Sequence, residues 1–300
     1  MGEVLAGIDV GGTKTQAIIC TPDYRILRQG SVGTPAKEGG SSMVSAAIAL
    51  VERLLEDTDA SLRGVGVGAA GMVDPSKGMV TVASNSFRGW AGFPVTKVIA
   101  DHFGVPCAID NDVNAFVRGE VTTGDARGRS NVLAIMLGTG VGGALWMDDA
   151  VFQGETGAAG EIGHISGFGN APCTCGGHGH LETVASGNAI ARRYSEISSA
   201  CVGSARDVAD LARGGNAHAK LIFEEAGRAI AQAMSMEAGL LDITTFVLGG
   251  GVCRSWDLLE GSVRRELSVN PPLGNRHLDI FPCADNVAAV SIGAATLLAV

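Results

Sequence analysis

Hydrophobic residues in this chain occur in two patterns: short continuous runs, and longer stretches in which they recur every three to four residues, as on one face of a helix. The short apolar runs predict β-strands at residues 4–10, 16–20, 26–32, 64–70, 80–83, 105–109, 132–136, 144–147, 246–248 and 278–281. Apolar residues at helical spacing predict helices at residues 41–56, 95–103, a stretch ending near 122, 183–198, 206–212, 217–240, a stretch from about 255, and 286–299. Ser41 or Ser42 is the expected N-cap of the first helix. The pattern predicts a protein of mixed α/β class.

Composition and charge narrow the class of partner. The chain has 300 residues, 46% of them hydrophobic, which is enough for two domains with large cores. Its formal charge is −9 and Lys and Arg form no run, which argues against nucleic acid and against an anionic membrane surface. No stretch is apolar for long enough to span a bilayer, and the first residues lack a basic region and a cleavage signal. We therefore expect a cytoplasmic protein.

The seven cysteines are consistent with that compartment. They lie in contexts typical of strands or of a binding site, and not at the spacings of a disulfide framework. We expect free thiols at Cys20, Cys107, Cys201, Cys253 and Cys283.

Two glycine-rich turns each connect two predicted strands. The first, Gly11-Gly12-Thr13-Lys14-Thr15, follows Asp9, and the second is centred on residues 138–140. Strand, turn and strand is not the strand-to-helix context of a dinucleotide-binding or Walker loop. A Gly-Gly hairpin can be simple turn chemistry. Alternatively, backbone N–H groups exposed by glycine cradle phosphate, and Asp9 holds Mg²⁺ through water.

Two further clusters lie after predicted strands. Asp110-Asn111-Asp112 precedes a helix, where Asp and Asn are favoured as N-caps, but capping explains one of these three residues and does not require all of them. Gly249-Gly250-Gly251 follows the strand at 246–248. Close approach of the backbone to a flat ligand is one reason for three successive glycines.

The segment from Glu161 to Glu182 contains an unusual set of metal ligands. His164, Cys173 and Cys175, with either His178 or His180, could bind zinc through sulfur and nitrogen. The alternative is two free cysteines in a loop with solvated histidines, but the clustering of both residue types favours a metal.

Glu161-Ile-Gly-His164 and Cys173-Thr-Cys175-Gly-Gly-His-Gly-His180-Leu-Glu182 resemble the signature of the ROK family of sugar kinases. The family pattern is Glu-x-Gly-His followed by Cys-x-Cys-Gly-x-x-Gly-Cys-x-Glu, so His180 stands where the family has its third Cys. Zinc with two thiolates and two neutral His is a neutral site, and this ligand set is as familiar as three thiolates with one His. We therefore expect His180 to be the fourth ligand, with His178 as the alternative.

The resemblance runs the length of the chain and implies a fold. This is the two-domain, actin-like (ribonuclease H-like) ATPase fold with a cleft between the domains. The implied domains are residues 1–124 with 287–300, which carry the first phosphate loop and sugar-binding residues, and residues 125–286, which carry the second phosphate loop, the zinc loop and the adenosine loop.

The resemblance also implies residue roles. Asp112 is implied as the catalytic base. Sugar contacts are implied for Gly71, Asn85, Asn111, Asp112, Glu161, His164 and Glu182. Contacts to ATP with Mg²⁺ are implied for Asp9, Gly11, Gly12, Thr13, Lys14, Thr15, Gly138, Thr139, Gly140, Gly249, Gly250 and Gly251. A structural Zn²⁺ is implied at His164, Cys173, Cys175 and His180. Trp90 is expected to be a packing residue rather than a sugar platform, and Asp110 a cap or support.

The activity implied is an ATP-dependent hexose kinase acting on a 6-hydroxyl, with glucose as first choice. An N-acetylhexosamine kinase, for N-acetylmannosamine or N-acetylglucosamine, is the alternative, and polyphosphate is an alternative donor. A sugar-sensing repressor is disfavoured because such relatives carry a helix-turn-helix domain before the first strand, which here includes Val4. A non-catalytic scaffold would not need Asp112 or the Glu161 and Glu182 pair. The expected partners are sugar, ATP and a second copy in a homodimer.

Overall fold

The computed structural model describes residues 2–56, 58–84, 86–283 and 288–298. They form two compact units, and each is described by itself. Unit 1 comprises Met1–Gly128, Val151–Ala159 and Asn286–Val300, and unit 2 comprises Arg129–Ala150 and Gly160–Asp285. The sequence-based division at residue 124 lacks the short segment Val151–Ala159, which lies with unit 1.

The elements follow one another as mixed strands and helices. The strands are β1 (Glu3–Val10), β2 (Lys14–Cys20), β3 (Ile26–Gly33), β4 (Ser61–Ala69), β5 (Met72–Asp74), β6 (Met79–Val82), β7 (Cys107–Asn111), β8 (Val132–Leu137), β9 (Val141–Met147), β10 (Ala150–Phe152), β11 (Thr245–Gly249) and β12 (Asp279–Pro282). The α-helices are α1 (Gly40–Leu55), α2 (Val95–Phe103), α3 (Asp112–Thr122), α4 (Glu182–Ala185), α5 (Gly187–Ser198), α6 (Ala205–Arg213), α7 (Ala217–Leu241), α8 (Trp256–Val269) and α9 (Ala289–Thr296).

The main sheet of unit 1 has the strand order β3-β2-β1-β4-β7. Strands β3, β2 and β1 pair antiparallel, whereas β1, β4 and β7 pair parallel. Strand β1 is almost wholly buried, which is why its sequence is a continuous apolar run and does not alternate. One face packs Ala6 and Ile8 against Met43 and Leu50 of α1. The other face packs against α9, so the sheet is covered on both sides.

Helix α9 reaches that second face because the strands carry glycine where the helix crosses them. A Cβ added at Gly7 of β1 would collide with the carbonyl oxygen of Ser291, and one at Gly66 of β4 with the carbonyl oxygen of Ala294. The helix backbone therefore lies directly on the sheet backbone. Loss of side-chain packing at these two positions is compensated by close contact of the main chain.

Helices α3 and α9 approach each other in the same way. A Cβ at Gly293 would collide with the carbonyl oxygen of Ala115, and one at Gly119 with the carbonyl oxygen of Ala289. Glycine in a helix interior costs about 1 kcal/mol in propensity relative to Ala, so its presence on both helices reflects this contact.

The sheet of unit 2 has the strand order β10-β9-β8-β11-β12. Strands β8 and β9 form an antiparallel hairpin, and β8, β11 and β12 are parallel. Helix α7 is the longest element in the described ranges. The apolar stripe expected on it is buried, as predicted, at Ile222, Ala226, Ile230, Ala233 and Met234.

Several local predictions were wrong. The helix predicted at 183–198 is two helices, because Ser186 is extended (φ −74°, ψ 158°) and caps α5 by accepting a hydrogen bond from Ala189 N–H at 3.0 Å. Helix α1 begins at Gly40 with Gly39 (φ 111°) as N-cap and without a side-chain cap, so neither Ser41 nor Ser42 is the cap. The closing helix is shorter than predicted, and residues 286, 287 and 299 of that prediction lie outside the described residues.

None of the seven cysteines, all of which lie in the described ranges, forms a disulfide, in agreement with the reduced state expected for Cys20, Cys107, Cys201, Cys253 and Cys283. None of the helices in the described ranges is long and apolar enough to cross a membrane.

The glycine contact predicts opposite effects for two Gly→Ala changes in helices. Gly293→Ala should destabilise the protein by about 2–3 kcal/mol, because the new methyl group forces α9 away from the Ala115 carbonyl. Gly261→Ala in α8 is the control, since a Cβ there meets only open space and should stabilise by up to about 1 kcal/mol. Thermal unfolding of both variants beside the wild type measures this. Equal unfolding temperatures for Gly293→Ala and the wild type would contradict the packing argument.

Candidate functional site

The first glycine-rich turn lies at the end of β1 and is exposed. Gly11 N–H donates to the Lys14 carbonyl at 3.1 Å, which closes the turn. A Cβ at Gly12 would lie 3.2 Å from the Phe87 ring. Thr13 and Lys14 are exposed, whereas Thr15 is buried with its hydroxyl 2.8 Å from that of Thr34. The Thr15 side chain therefore stabilises the base of the turn.

Asp9 lies at the carboxyl end of β1, where the parallel strands β4 and β7 also end. Burial, and then the nearby carboxylate of Asp112, raise the pKa of Asp9 to about 7, while Lys14 acts in the opposite direction. Two carboxylates thus share one edge of the unit 1 sheet. A divalent cation at this edge would relieve both the burial of charge and the repulsion.

Asn111 is the N-cap of α3, and its amide connects two segments. Its Oδ1 accepts from Val113 N–H at 2.8 Å and from Asn114 N–H at 3.3 Å. Its Nδ2 donates to the Gly71 carbonyl at 2.8 Å. The side chain therefore fixes the start of α3 against the turn after β4, and it has one remaining amide hydrogen for a ligand.

Asp110 and Asp112 have different surroundings. Asp110 is buried, accepts from Asn111 N–H and Asn114 Nδ2–H at 2.8 Å each, and lies 3.6 Å from Arg118 Nε. Asp112 is half-buried, and its Oδ1 accepts from Val113 N–H at 3.0 Å. Asp110 is the support that was expected, while the cap itself is its neighbour in sequence.

Gly71 is required by the geometry of its turn. It has φ 109°, in the left-handed region, and a Cβ there would collide with the Val82 carbonyl. Trp90 is fully buried with its Nε1–H donating to the Ala70 carbonyl at 3.1 Å, which confirms a packing role. Asn85, a predicted sugar contact, lies outside the described residues.

The second glycine-rich turn, in unit 2, is held by the start of α5. Gly138 N–H donates to the Gly140 carbonyl at 3.0 Å within the turn. Gly187 N–H donates to the Gly138 carbonyl at 2.8 Å, and Asn188 N–H to the Thr139 carbonyl at 3.4 Å. The break at Ser186 is what places these two N–H groups beside the turn.

The third cluster of glycines lies at the end of β11, next to the end of β8. Gly250 has φ 91°, and a Cβ there would collide with the Leu137 backbone, so its role is close packing of the two strand ends. A Cβ at Gly251 would meet only open space. Gly249 is the last residue of β11.

A cavity of about 660 Å³ opens at these carboxyl ends, within unit 2. It is lined by Gly138, Thr139, Gly187, Asn188, Gly203, Ser204, Ala205, Arg206, Asp210, Arg213, Gly251, Val252, Arg254 and Ser255. The crevice outside the carboxyl ends of parallel strands is the usual ligand site of open α/β sheets.

The wall of this cavity that α5 and α6 provide was not predicted from the sequence. Ser204 caps α6 by accepting from Asp207 N–H at 3.3 Å, and the Ser-x-x-Asp spacing could have located that helix start. No sequence signal indicated that Asn188, Arg206 or Arg254 would face a cavity. Arg213 in the same wall is held by two hydrogen bonds to Asp257, of 2.7 and 3.0 Å.

Glycine-rich backbone contacts set the shape of the loop from Glu161 to Glu182. Cys173 N–H donates to the Gly177 carbonyl at 2.8 Å, and a Cβ at Gly179 (φ 65°) would collide with the Gly169 carbonyl. Ser166 and His180 form an isolated β-bridge. These contacts bring the distant ends of the loop together.

Four of the predicted metal ligands converge in this loop. One ligand atom each from His164, Cys173, Cys175 and His180 lies within 4.8 Å of the others. Cys173 Sγ is 3.7 Å from His164 Nδ1, and Cys175 Sγ is 3.3 Å from His180 Nδ1. Neighbouring ligand atoms of a tetrahedral zinc lie about 3.3–3.8 Å apart, given the usual Zn–N and Zn–S lengths. The donor set and its spacing fit zinc. His178 is exposed and lies outside this group.

Glu161 and Glu182 lie at opposite ends of the loop. Glu161 Oε2 is 3.9 Å from His164 Nε2, the ring nitrogen opposite the one that faces Cys173. Glu182 accepts from Val141 N–H at 3.0 Å through Oε2 and from the Thr174 hydroxyl at 2.9 Å through Oε1. Glu161 is thus available beside His164, whereas the Glu182 carboxylate is engaged within unit 2.

Comparison with known proteins agrees with this architecture. The chain matches the ROK family over residues 5–299. It is 34% identical to a glucokinase of Halalkalibacterium halodurans, over 84% of this chain and 82% of the relative. It is 31% identical to an N-acetylmannosamine kinase of Yersinia pseudotuberculosis, over 84% of each chain. A ROK glucokinase from Streptomyces griseus, solved in complex with glucose and AMPPNP, superposes with a TM-score of 0.83 at 29% identity, over 98% of each chain.

The chain therefore belongs to the ROK family, which confirms the resemblance seen in the sequence. Its fold is the two-domain, actin-like α/β fold of that family's kinases, with two five-stranded mixed sheets.

Proposed function

We propose that this chain is an ATP-dependent sugar kinase that transfers the γ-phosphoryl group to the 6-hydroxyl of an aldohexose. The observation that carries the proposal is Asp112 at the start of α3, at the same sheet edge as Asp9 and the first glycine-rich turn. Phosphoryl transfer needs positioned phosphates, neutralised charge and an acceptor for the hydroxyl proton, and this edge offers all three.

The nucleotide binds in the unit 2 cavity described above. The nucleoside lies against Gly251 and the α6 wall, and the β- and γ-phosphates lie at the turn of Gly138, Thr139 and Gly140. In unit 1, the turn from Gly11 to Lys14 offers backbone N–H groups suited to phosphate oxygens. Backbone N–H groups of such turns bind phosphate oxygens without the entropy cost of a long side chain.

Asp9 is the proposed ligand for Mg²⁺, through water. When bound, Mg²⁺ neutralises the phosphates and lowers the cost of holding two carboxylates at this sheet edge. Asp112 accepts the proton of the attacking 6-hydroxyl. Asn111 offers its remaining amide hydrogen to a neighbouring hydroxyl, with Gly71 shaping the turn beside it.

In unit 2, Glu161 and the Nε2 side of His164 are the groups proposed to contact sugar hydroxyls. His164, Cys173, Cys175 and His180 would hold the zinc, and its role would be structural because protein side chains would supply all four ligands. Binding of zinc through Nδ1 fixes the tautomer of His164, so that Nε2–H donates to a sugar hydroxyl or to Glu161.

Glucose is the first-choice substrate, supported by the glucokinase from Halalkalibacterium halodurans at 34% identity. An N-acetylhexosamine is the alternative, favoured by the N-acetylmannosamine kinase at 31% identity.

We also propose a homodimer, which light scattering would report as twice the 30.5 kDa mass of one chain.

An assay of coupled ADP release against glucose, mannose, N-acetylglucosamine and N-acetylmannosamine tests the substrate. Glucose should give the highest kcat/KM. Higher kcat/KM for an N-acetylhexosamine would select the alternative, and turnover with polyphosphate but not ATP would change the proposed donor. Absence of phosphorylation of every sugar in the panel would contradict the proposal.

Asp112→Asn tests the proposed base. The variant should fold and bind sugar, but kcat should fall by roughly 10²–10⁴, because the amide cannot accept the hydroxyl proton. Asp110→Asn is the comparison: it removes a buried carboxylate that faces Arg118, so it should lower the unfolding temperature more than it lowers kcat. An Asp112→Asn enzyme that keeps more than about a third of the wild-type kcat would show that Asp112 is not the base.

Zinc content of histidine variants tests the metal site. The wild type should contain one zinc per chain, His180→Ala should lose it, and His178→Ala should keep it, because His178 lies outside the ligand cluster. His180→Cys should also keep zinc, since it restores the family ligand set. Elemental analysis of purified proteins measures all four. Zinc in His180→Ala but not in His178→Ala would assign the fourth ligand to His178, and a wild type without zinc would exclude the site.

A further inference from the structure

Glu182 connects two parts of unit 2 that sequence reasoning treated separately. Two backbone hydrogen bonds from α5 hold the turn at residues 138–140, as described above. The third is made by a side chain: Glu182 Oε2 accepts from the N–H of Val141, the residue directly after the turn, at 3.0 Å. Glu182 is the first residue of α4, so the same short segment supplies all three contacts.

The other oxygen of the same carboxylate faces the loop of metal ligands. Oε1 accepts from the Thr174 hydroxyl at 2.9 Å and lies 3.7 Å from Cys173 Sγ. Thr174 lies between the two cysteines of the ligand set. One carboxylate therefore bridges the metal-binding loop and the glycine-rich turn, through charge-assisted hydrogen bonds.

Gly140 shows that the turn is built around this carboxylate. A Cβ at position 140 would collide with Glu182 Oε2. Gly140 does not belong to the glycines of positive φ, so its backbone conformation is open to other residues. The need for glycine at this position comes from the Glu182 side chain.

We propose that Glu182 is a positioning residue for the nucleotide phosphates, and not only a sugar contact. The inference deepens the proposed kinase function and rests on it, since it assumes that ATP phosphates bind at Gly138, Thr139 and Gly140. A glycine-rich turn has high conformational entropy when free, and holding it in place lowers the cost of ordering it when ATP binds. Because Glu182 contacts both, a shift of the metal-binding loop would displace the glycine-rich turn as well.

The Glu182 contacts also make nucleotide binding depend on the metal. Displacement of the Cys173 and Thr174 backbone would move the hydroxyl that holds Glu182. Loss of zinc should then weaken nucleotide binding as well as sugar binding.

Calorimetric titration with MgADP, without sugar, tests the role of the side chain. Glu182→Ala should weaken MgADP binding about tenfold or more, which corresponds to the loss of one hydrogen bond to a charged group. Glu182→Gln should stay within about twofold of the wild type, because the amide oxygen can accept from Val141 N–H and the amide N–H₂ can donate to Thr174. Rescue by Gln would not be expected if the position only carried charge.

A double-mutant cycle with Gly140→Ala isolates the contact. Gly140→Ala keeps Glu182 and all four metal ligands, but its methyl group displaces the carboxylate, so MgADP binding should weaken about as much as in Glu182→Ala. In the Glu182→Ala background the same change should add less than about twofold, because the carboxylate it displaces is gone. Gly140→Ala should retain one zinc per chain, so the cycle does not depend on metal loss.

The outcomes separate this inference from the proposed function. MgADP binding unchanged in Glu182→Ala, with only KM for sugar raised, would overturn the positioning role and leave Glu182 as a sugar contact. Equal effects of Gly140→Ala in both backgrounds would also overturn it. A wild type that neither binds MgADP nor phosphorylates a sugar would instead remove the kinase proposal itself.

Discussion

The position of the proposed base depends on backbone contacts that only glycine permits. Helix α9 lies against β1 and β4 at Gly7 and Gly66, and against α3 at Gly119 and Gly293, with carbonyl oxygens where side chains would otherwise stand. Strand β1 ends in Asp9, and α3 begins with Asp112. The helix thus fixes the strand and the helix that carry the two carboxylates. Small shifts at this contact would be transmitted to the distance between them, because a close-packed interior transmits strain.

The backbone N–H groups at the start of a helix have no partner within the helix, and in α3 and α5 their partners help to shape the site. Asn111 satisfies the first N–H groups of α3 and, with the other end of its amide, holds the turn at Gly71. Ser186 caps α5, and the N–H groups of Gly187 and Asn188 at the start of that helix donate to the turn at 138–140. The turn at Gly71 and the turn at 138–140 are therefore each positioned by a helix start, and each interaction is local to one unit.

Much of this could be predicted from the sequence because the local signals agree. Apolar runs located every strand of the two five-stranded sheets except the short edge strand β10, and Asp110-Asn111-Asp112 marked the start of α3. The ligands at positions 164, 173, 175 and 180 converge as their chemistry predicted, and the exposed His178 is left out. Two helix boundaries were predicted wrongly because the local pattern is ambiguous. Helical periodicity continues across Ser186, which hides the break there. Serine is a preferred N-cap, so Ser41 next to Gly40 was chosen although Gly39 takes that position.

The remaining parts of the site were not predictable because they depend on contacts distant in sequence. The α6 wall of the unit 2 cavity is contributed by a helix whose sequence reads as an ordinary amphipathic surface helix. In the sequence, the glycines that contact α9 only weaken the strand and helix patterns, and their role is visible only once α9 is packed against them. Glu182 was assigned from the resemblance to a sugar, whereas its partners Val141 and Thr174 are 41 and 8 residues away in the chain.

The break at Ser186 also settles which way the peptide groups of the second turn point. In a trans peptide the C=O and the following N–H point in opposite directions. The carbonyls of Gly138 and Thr139 both face the start of α5, as acceptors from Gly187 and Asn188. The N–H groups of Thr139 and Gly140 must therefore point away from α5, side by side. A continuous helix would have used its own N–H groups internally, and the two peptide planes of the turn would have had no reason to share an orientation.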